Sequence, residues 1–289
     1  MKEPVRHLVA STNSRLAVGA FKERVEIWNL ETANRVNGFS TVLDFGGQRL
    51  GLDAAGDTCL AGAYHRFGVV AYEVANGTPR WSRADIKRVQ NLSRSGDGRR
   101  VFVGVEGGSA QVVDLLDGKT IEKLRGVRRV FENAAGTARL LDRSSPIVET
   151  SSGRSFGVER TTFAILDVAF GPVSFCVSEV GGPTRCLDLD TGRELWRHQP
   201  EEGSHTLSLV FSPSAKEFVG VSRAFEKTSE QALVRLEPPG KATQLAALGR
   251  PAVAEFCLSG DALILSDGRL LDASTGKLLR SIPFAEGDA

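Results

Sequence analysis

The chain is predicted to be all-β, a seven-bladed β-propeller of four-stranded antiparallel blades. Two turn anchors that share one period of about forty residues carry the prediction. The first anchor is a turn that follows a strand-like apolar run and is built on a polar or charged residue, in most copies with Gly four residues on. It begins at Asn29, Glu73, Asp114, Glu149, Asp188, Arg235 and Asp272. The intervals are 44, 41, 35, 39, 47 and 37 residues. The second anchor is an earlier turn within each repeat, at Thr12-Asn13-Ser14, Ala55-Gly56-Asp57, Gly96-Asp97-Gly98, Ala135-Gly136-Thr137, Gly171-Pro172, Ser212-Pro213-Ser214 and Ser259-Gly260-Asp261. Gly, Asn, Asp, Ser and Pro are the residues tight turns require.

These anchors divide the chain into blades over residues 5–39, 49–84, 89–124, 128–165, 166–200, 205–248 and 251–284, with strands a to d in each and no residues left for a second domain. Blade three reads Asn91-Leu92-Ser93, Val101 to Val105, then Ala110 to Leu115. β-branched residues and Phe dominate, as strands stacked between neighbouring sheets demand. Blade four is the least regular. Blade six carries a polar insertion, Arg223 to Gln231, read as a loop. Blade one begins with its own strand a, Val5 to Ser11, and blade seven ends with its own strand d, Lys277 to Phe284. The ring is therefore expected to shut through side-chain packing, without a strand lent from one terminus to the other blade.

Composition excludes some function classes. Lys plus Arg is 36 against Asp plus Glu 35, so no global field draws the chain to nucleic acid or membrane. No apolar run approaches the ~20 residues of a spanning helix. Met1 to His7 lacks the apolar stretch of a signal peptide. The expected location is cytoplasmic. Cys59, Cys176, Cys186 and Cys257 form no CxxC pair. Cys176 and Cys186 flank the turn Val180-Gly181-Gly182-Pro183 and fall opposite each other in a simple hairpin, where both a disulfide and two free thiols remain open.

Val25-Glu26-Ile27-Trp28-Asn29-Leu30 resembles the strand that names the WD-repeat family, with Asn in place of Asp. Leu187 to Trp196 resembles the quinoprotein repeat, and Glu73 through Gly77 to Trp81 is a looser copy. The resemblance to WD-repeat and quinoprotein-type propellers covers the whole chain and implies a divergent WD-like propeller. The Gly-His dipeptide of WD repeats is absent from every blade, and the adjacent cysteine pair of quinoproteins is missing, so no quinone or other cofactor carries over.

Enzyme motifs are scarce. His7, His65, His198 and His205 fall in different blades, and no G-x-S-x-G, phosphate loop or H-E-x-x-H occurs. Asp53, Glu132, Asn133, Asp167 and Glu255 are the candidates for an axial metal-dependent hydrolase or lyase. Against that reading, Asp53, Ser93, Glu132 and Ser212 share one repeat position that suits turn capping, and Asp167 and Glu255 are expected at other depths. No catalytic residue and no metal ligand is assigned.

The b–c and d–a loops emerge on one face. Three b–c loops pair Phe with charge: Phe21-Lys22-Glu23, His65-Arg66-Phe67 and Phe225-Glu226-Lys227. Exposed aromatics beside Arg make protein-binding hot spots. The d–a loops are read as basic, through Lys87, Arg88, Arg125, Arg128 and Arg129. Residues 80–130 hold 12 Lys or Arg and 6 acids. The expected function is a non-catalytic scaffold that docks a partner protein, as part of a complex, through Phe21, His65, Arg66, Phe67, Lys87, Arg88, Arg125, Arg128, Arg129 and Phe225. A basic-patch platform for nucleic acid is the other alternative. No small-molecule substrate is expected.

Overall fold

The structure is a computed structural model. It describes residues 5–11, 15–21, 24–40, 49–53, 56–63, 68–162, 164–201, 204–224, 230–249, 254–257 and 260–284. Seven four-stranded antiparallel sheets stand in a ring. The strands are β1 (His7–Ala10), β2 (Leu16–Ala20), β3 (Arg24–Asn29) and β4 (Arg35–Ser40) in blade one. Blade two holds β5 (Arg49–Leu52), β6 (Thr58–Gly62), β7 (Val69–Glu73) and β8 (Pro79–Arg83). Blade three holds β9 (Val89–Arg94), β10 (Arg100–Val105), β11 (Ser109–Asp114) and β12 (Thr120–Arg125). Blade four holds β13 (Arg129–Glu132), β14 (Ala138–Asp142), β15 (Ile147–Thr150) and the short β16 (Ser155–Gly157). Blade five holds β17 (Ile165–Phe170), β18 (Ser174–Glu179), β19 (Thr184–Asp188) and β20 (Glu194–His198). Blade six holds β21 (Ser204–Ser212), β22 (Glu217–Ala224), β23 (Gln231–Glu237) and β24 (Lys241–Gly249). Blade seven holds β25 (Ala254–Phe256), β26 (Ala262–Leu265), β27 (Arg269–Asp272) and β28 (Leu278–Ser281).

Why these strands read as near-continuous apolar runs follows from the core. A middle strand of a propeller blade is covered on both faces, so both of its side-chain sets are buried. In β2, Ala17 faces blade seven while Val18 and Ala20 face blade two. The buried apolar residues fall into seven clusters, each drawing on two adjacent blades. The core is thus a ring of seven seams.

The seams explain the repeat. In four of the c–d turns the leading side chain closes the turn: Asn29 Oδ1 accepts from Glu31 N and Thr32 N, Asp188 Oδ1 from Asp190 N and Thr191 N, and Asp114 and Asp272 do the same. The glycine that follows in most copies has a second duty. Gly118 holds φ at +73°, and a Cβ there would lie 2.8 Å from Trp81 Cδ2 of the preceding blade. Trp81 Nε1 also donates to Leu115 O at 2.9 Å. Phe39 lies over Gly77 and Phe156 over Gly192 in the same way. An outer-strand aromatic thus seats on the next blade's turn, which makes Trp81 a packing residue. Blade one departs from the pattern, with Ala33 at φ +58° in the glycine's place.

Blades one and seven keep all four of their own strands, as expected. Their seam buries Leu8, Phe21, Trp28, Cys257, Ile264 and Phe284, with Trp28 and Phe284 edge to face at 5.9 Å. The Arg223 to Gln231 segment is shorter as a loop than expected, because Arg223 pairs with Gln231 at the end of a long hairpin. Cys176 and Cys186 do face each other across β18 and β19, and both are free and buried.

Candidate functional site

The expected docking face and the axis are both on view, and each corrects part of the reading from sequence. Phe21 is 0 % exposed. It leaves β2 directly into the seam between blades one and seven, and the Arg24 guanidinium lies 4.4 Å above its ring. Exposure as an apolar anchor is therefore not what this residue has. His65, Arg66, Phe67 and Phe225 lie outside the described residues.

Most of the basic patch is internally neutralised. Several of its cations stand on outer strands, with Arg80 and Arg83 in β8 and Lys123 and Arg125 in β12. Arg83 binds Asp85 in two bonds of 2.7 Å, and Arg88 binds Glu106 at 2.7 Å. Arg128 and Arg129 converge on the buried carboxylate of Asp142, each at 3.2 Å. Arg129 also donates to the carbonyls of Ile165 and Leu166 in blade five. Arg128 and Arg129 thus serve the fold, because a buried carboxylate without its cation is costly. Lys87 and Arg125 are exposed and have no side-chain bond or ion pair among the described residues. Both flank the Glu106-Gly107-Gly108 turn: Arg125 pairs with Ser109, and Arg88, next to Lys87, holds Glu106.

At the axis, side chains stitch the innermost strands of blades three to six, each to the next. Ser93 Oγ donates to Val130 O at 2.7 Å, Arg129 reaches from blade four to blade five, and Asp167 Oδ2 accepts from Leu209 N of blade six at 2.7 Å. The turn-capping position is Ser11, Asp53, Ser95 and Asn133, each accepting a turn N–H at 2.7–3.0 Å. Ser93 and Glu132, expected at that position, instead point to the adjoining blades. Glu132 Oε2 accepts from Gly96 N at 2.6 Å.

Inside this ring lies a cavity of about 510 Å³ walled by the first strands of all seven blades. Asp167, Glu255 and Arg94 line it together. Asp167 and Glu255, expected at depths other than that of Asp53 and Glu132, line the same cavity, and the charge of Asp167 acts on Glu255. Burial, then the charge of Asp167, pushes the Glu255 carboxyl up to about 8, against an opposing pull from Arg94. Burial raises Asp167 to about 6, although the N–H groups of Leu209 and Val168 and the charge of Arg129 oppose it. Burial pulls Arg94 down to about 10, with Asp53 and Glu255 working the other way. Among the described residues, no group of three or more His, Cys, Asp or Glu is placed to hold a metal ion.

Sequence reasoning missed a second buried ion pair, in blade five beside the segment that joins it to blade four. Glu179, fully buried, accepts from both the N–H and the hydroxyl of Thr161 and of Thr162, and from Arg185 Nη2 at 2.6 Å. Burial alone would raise its carboxyl, but the bonds from Thr162, Arg185 and Thr161 hold it below the usual range. This pair ties the 159–162 segment to the hairpin of β18 and β19. The only sequence signal was an acid and an arginine flanking a Gly-Gly turn.

Seven four-stranded antiparallel blades closed in a ring give this chain the fold of the WD40-repeat β-propellers. Two solved structures carry the likeness. The crystal structure of the RRP9 WD40 repeats superposes with a TM-score of 0.68 at 11 % identity, over 92 % of this chain and 87 % of that one. The structure of U3-55K gives 0.67 at 12 % identity, over 92 % and 88 %. No protein-family profile matches the sequence, and no curated protein matches it.

Proposed function

We propose that this propeller is a non-catalytic interaction scaffold that docks a partner protein on the face of its b–c and d–a loops. One observation carries the reading. On a frame whose other patch cations are largely held in ion pairs, Lys87 and Arg125 stand exposed and without an ion-pair partner among the described residues, on either side of one turn. Charges held on stiff supports steer and orient a partner at little ordering cost. His65, Arg66, Phe67 and Phe225, which lie outside the described residues, belong to the proposed site by their sequence alone, and Arg88 adds to it through its 68 % exposed side chain. The site is thus read as a contact for an acidic partner surface at blade three.

The test is a paired pull-down from the native host with cross-linking mass spectrometry. The baits are the wild type and a variant combining Arg66→Ala, Phe67→Ala, Lys87→Ala, Arg125→Ala and Phe225→Ala that melts normally. A partner caught by the first, cross-linked to this face and lost by the second supports the reading. The same partner caught by both baits overturns it. Strong, salt-sensitive binding of the wild type to RNA or DNA would favour the nucleic-acid alternative instead.

A further inference from the structure

The axial cavity holds what the docking reading leaves unused. Glu255, on the innermost strand of blade seven, faces it with no hydrogen-bond or ion-pair partner among the described residues. Asp167 faces it from blade five, fixed in place by Leu209 N, Val168 N and the Ser208 hydroxyl. Arg94 enters from blade three, already offset by Asp53 and Glu255. Asp142 engages Arg129, and Gly96 N engages Glu132. The strands flanking β25 contribute His7, first in β1, and His205, second in β21. The groups left facing the cavity are therefore the carboxyls of Asp167 and Glu255, with the Arg129 and Arg94 guanidiniums acting on them in turn. Val9, Leu50, Leu92, Val168 and Phe256 make much of the wall apolar.

We propose that this cavity binds an organic cation, an ammonium or guanidinium group, held between the carboxyls of Asp167 and Glu255 with its alkyl stem along the apolar wall. The proposal concerns the axis and is independent of the docking face. The volume, about 510 Å³, falls within the range of small-ligand sites. A cation is favoured over an anion because Arg94 alone offsets both Asp53 and Glu255, and the Arg129 charge that acts on Asp167 is already engaged by Asp142, so carboxyls outnumber free cations here. An organic cation is favoured over a divalent metal, which takes about six to eight oxygen ligands, whereas two carboxyls serve one ammonium or guanidinium through charge-assisted bonds. The apolar wall suits a methylene stem.

A thermodynamic signature follows. In the empty cavity Glu255 keeps its proton at neutral pH, because its carboxyl titrates at about 8. A bound cation favours the carboxylate, so binding expels that proton. Affinity should then rise about tenfold per pH unit below pH 8 and level off above it.

Titration calorimetry on the full chain with n-butylguanidinium, with n-butanol as the neutral comparison, decides the matter. Runs at pH 6.5, 7.5 and 8.5, each in two buffers of different ionisation enthalpy that carry no net positive charge, phosphate and a zwitterionic sulfonate, read affinity and proton release together. The expected result is binding of the guanidinium over the alcohol, release of up to about one proton near pH 7, and loss of both the affinity gain and the release in Glu255→Gln. Equal binding of cation and alcohol, no binding at all, or binding without proton release and without a pH slope overturns the proposal. So does a folded Glu255→Gln variant that behaves as the wild type. Should that variant fail to fold, the wild-type proton release and pH slope still decide. A capped Gly-Arg-Gly peptide separates the two sources: its binding assigns the cation to a protein side chain, and its exclusion while n-butylguanidinium binds assigns it to a small molecule.

Discussion

Replacing Phe21 with Ala tests how the ring is closed. The side chain is fully buried where blades one and seven meet, and neither blade borrows a strand from the other. Removing a buried Phe side chain costs about 3 to 5 kcal/mol through lost transfer energy and the cavity left behind. Loss of the Arg24 guanidinium's contact with the ring adds about 0.5 to 1 kcal/mol. For 289 residues the unfolding entropy near the midpoint is about 0.6 kcal/mol per degree. The expected drop in Tm is therefore about 6 to 10 °C. Leu116→Ala, at a site 82 % exposed, is the matched control and should move the midpoint by about 1 °C or less. Differential scanning calorimetry of both variants provides the measurement. A Phe21→Ala midpoint within 1 °C of the wild type, coupled to loss of partner binding, would falsify the packing argument and restore Phe21 as a surface anchor.

Asp167 and Glu255 titrate at about 6 and about 8 in the fold against ordinary values of 3.8 and 4.5, so the folded state holds more protons than the unfolded one. Their contribution to stability is complete below about pH 4 and is lost as pH rises through 6 and 8. Melting curves from pH 4.5 to 8.5 should show the wild type losing stability relative to Glu255→Gln with rising pH, and a constant difference between them would refute this. Gly118→Ala forces a side chain into φ +73° and against Trp81, and should cost about 1 to 2 kcal/mol. The combined Gly118→Ala, Trp81→Ala variant should then lose less than the sum of the two single changes, and strict additivity in urea denaturation would remove the steric part of the argument. All four cysteines are buried and free, and burial pushes the Cys59 thiol up to about 12. A thiol reagent should therefore label four groups in denaturant and react slowly with the native protein. A count of two in denaturant would mean Cys176 and Cys186 are joined.

How far the sequence reached can be judged from particular residues. Asn29, Asp114, Asp188 and Asp272 announced the blade frame because each closes its own turn through bonds to residues two or three positions on. Such local chemistry depends on neighbours in the chain and is legible there. Ring closure without a lent strand was legible for a related reason, since a complete set of strands can be counted at either end. Phe21 misled because its surroundings in sequence, Lys22 and Glu23, are polar, while its surroundings in space are Val5 and Phe284. Arg128 and Arg129 read as a charged patch because Asp142, their partner, lies a full strand away.

The sequence by itself determined the number of blades, their order and the turns that punctuate them, because a propeller repeats one short-range unit and each unit carries its own turn signals. The tertiary structure decided which charges are spent and which remain, and it alone brought Asp167 and Glu255 into one cavity. Those two residues lie two blades apart around the ring and 88 positions apart in the chain. Their meeting depends on the radius and stagger of the closed ring, a property that none of the seven units holds alone.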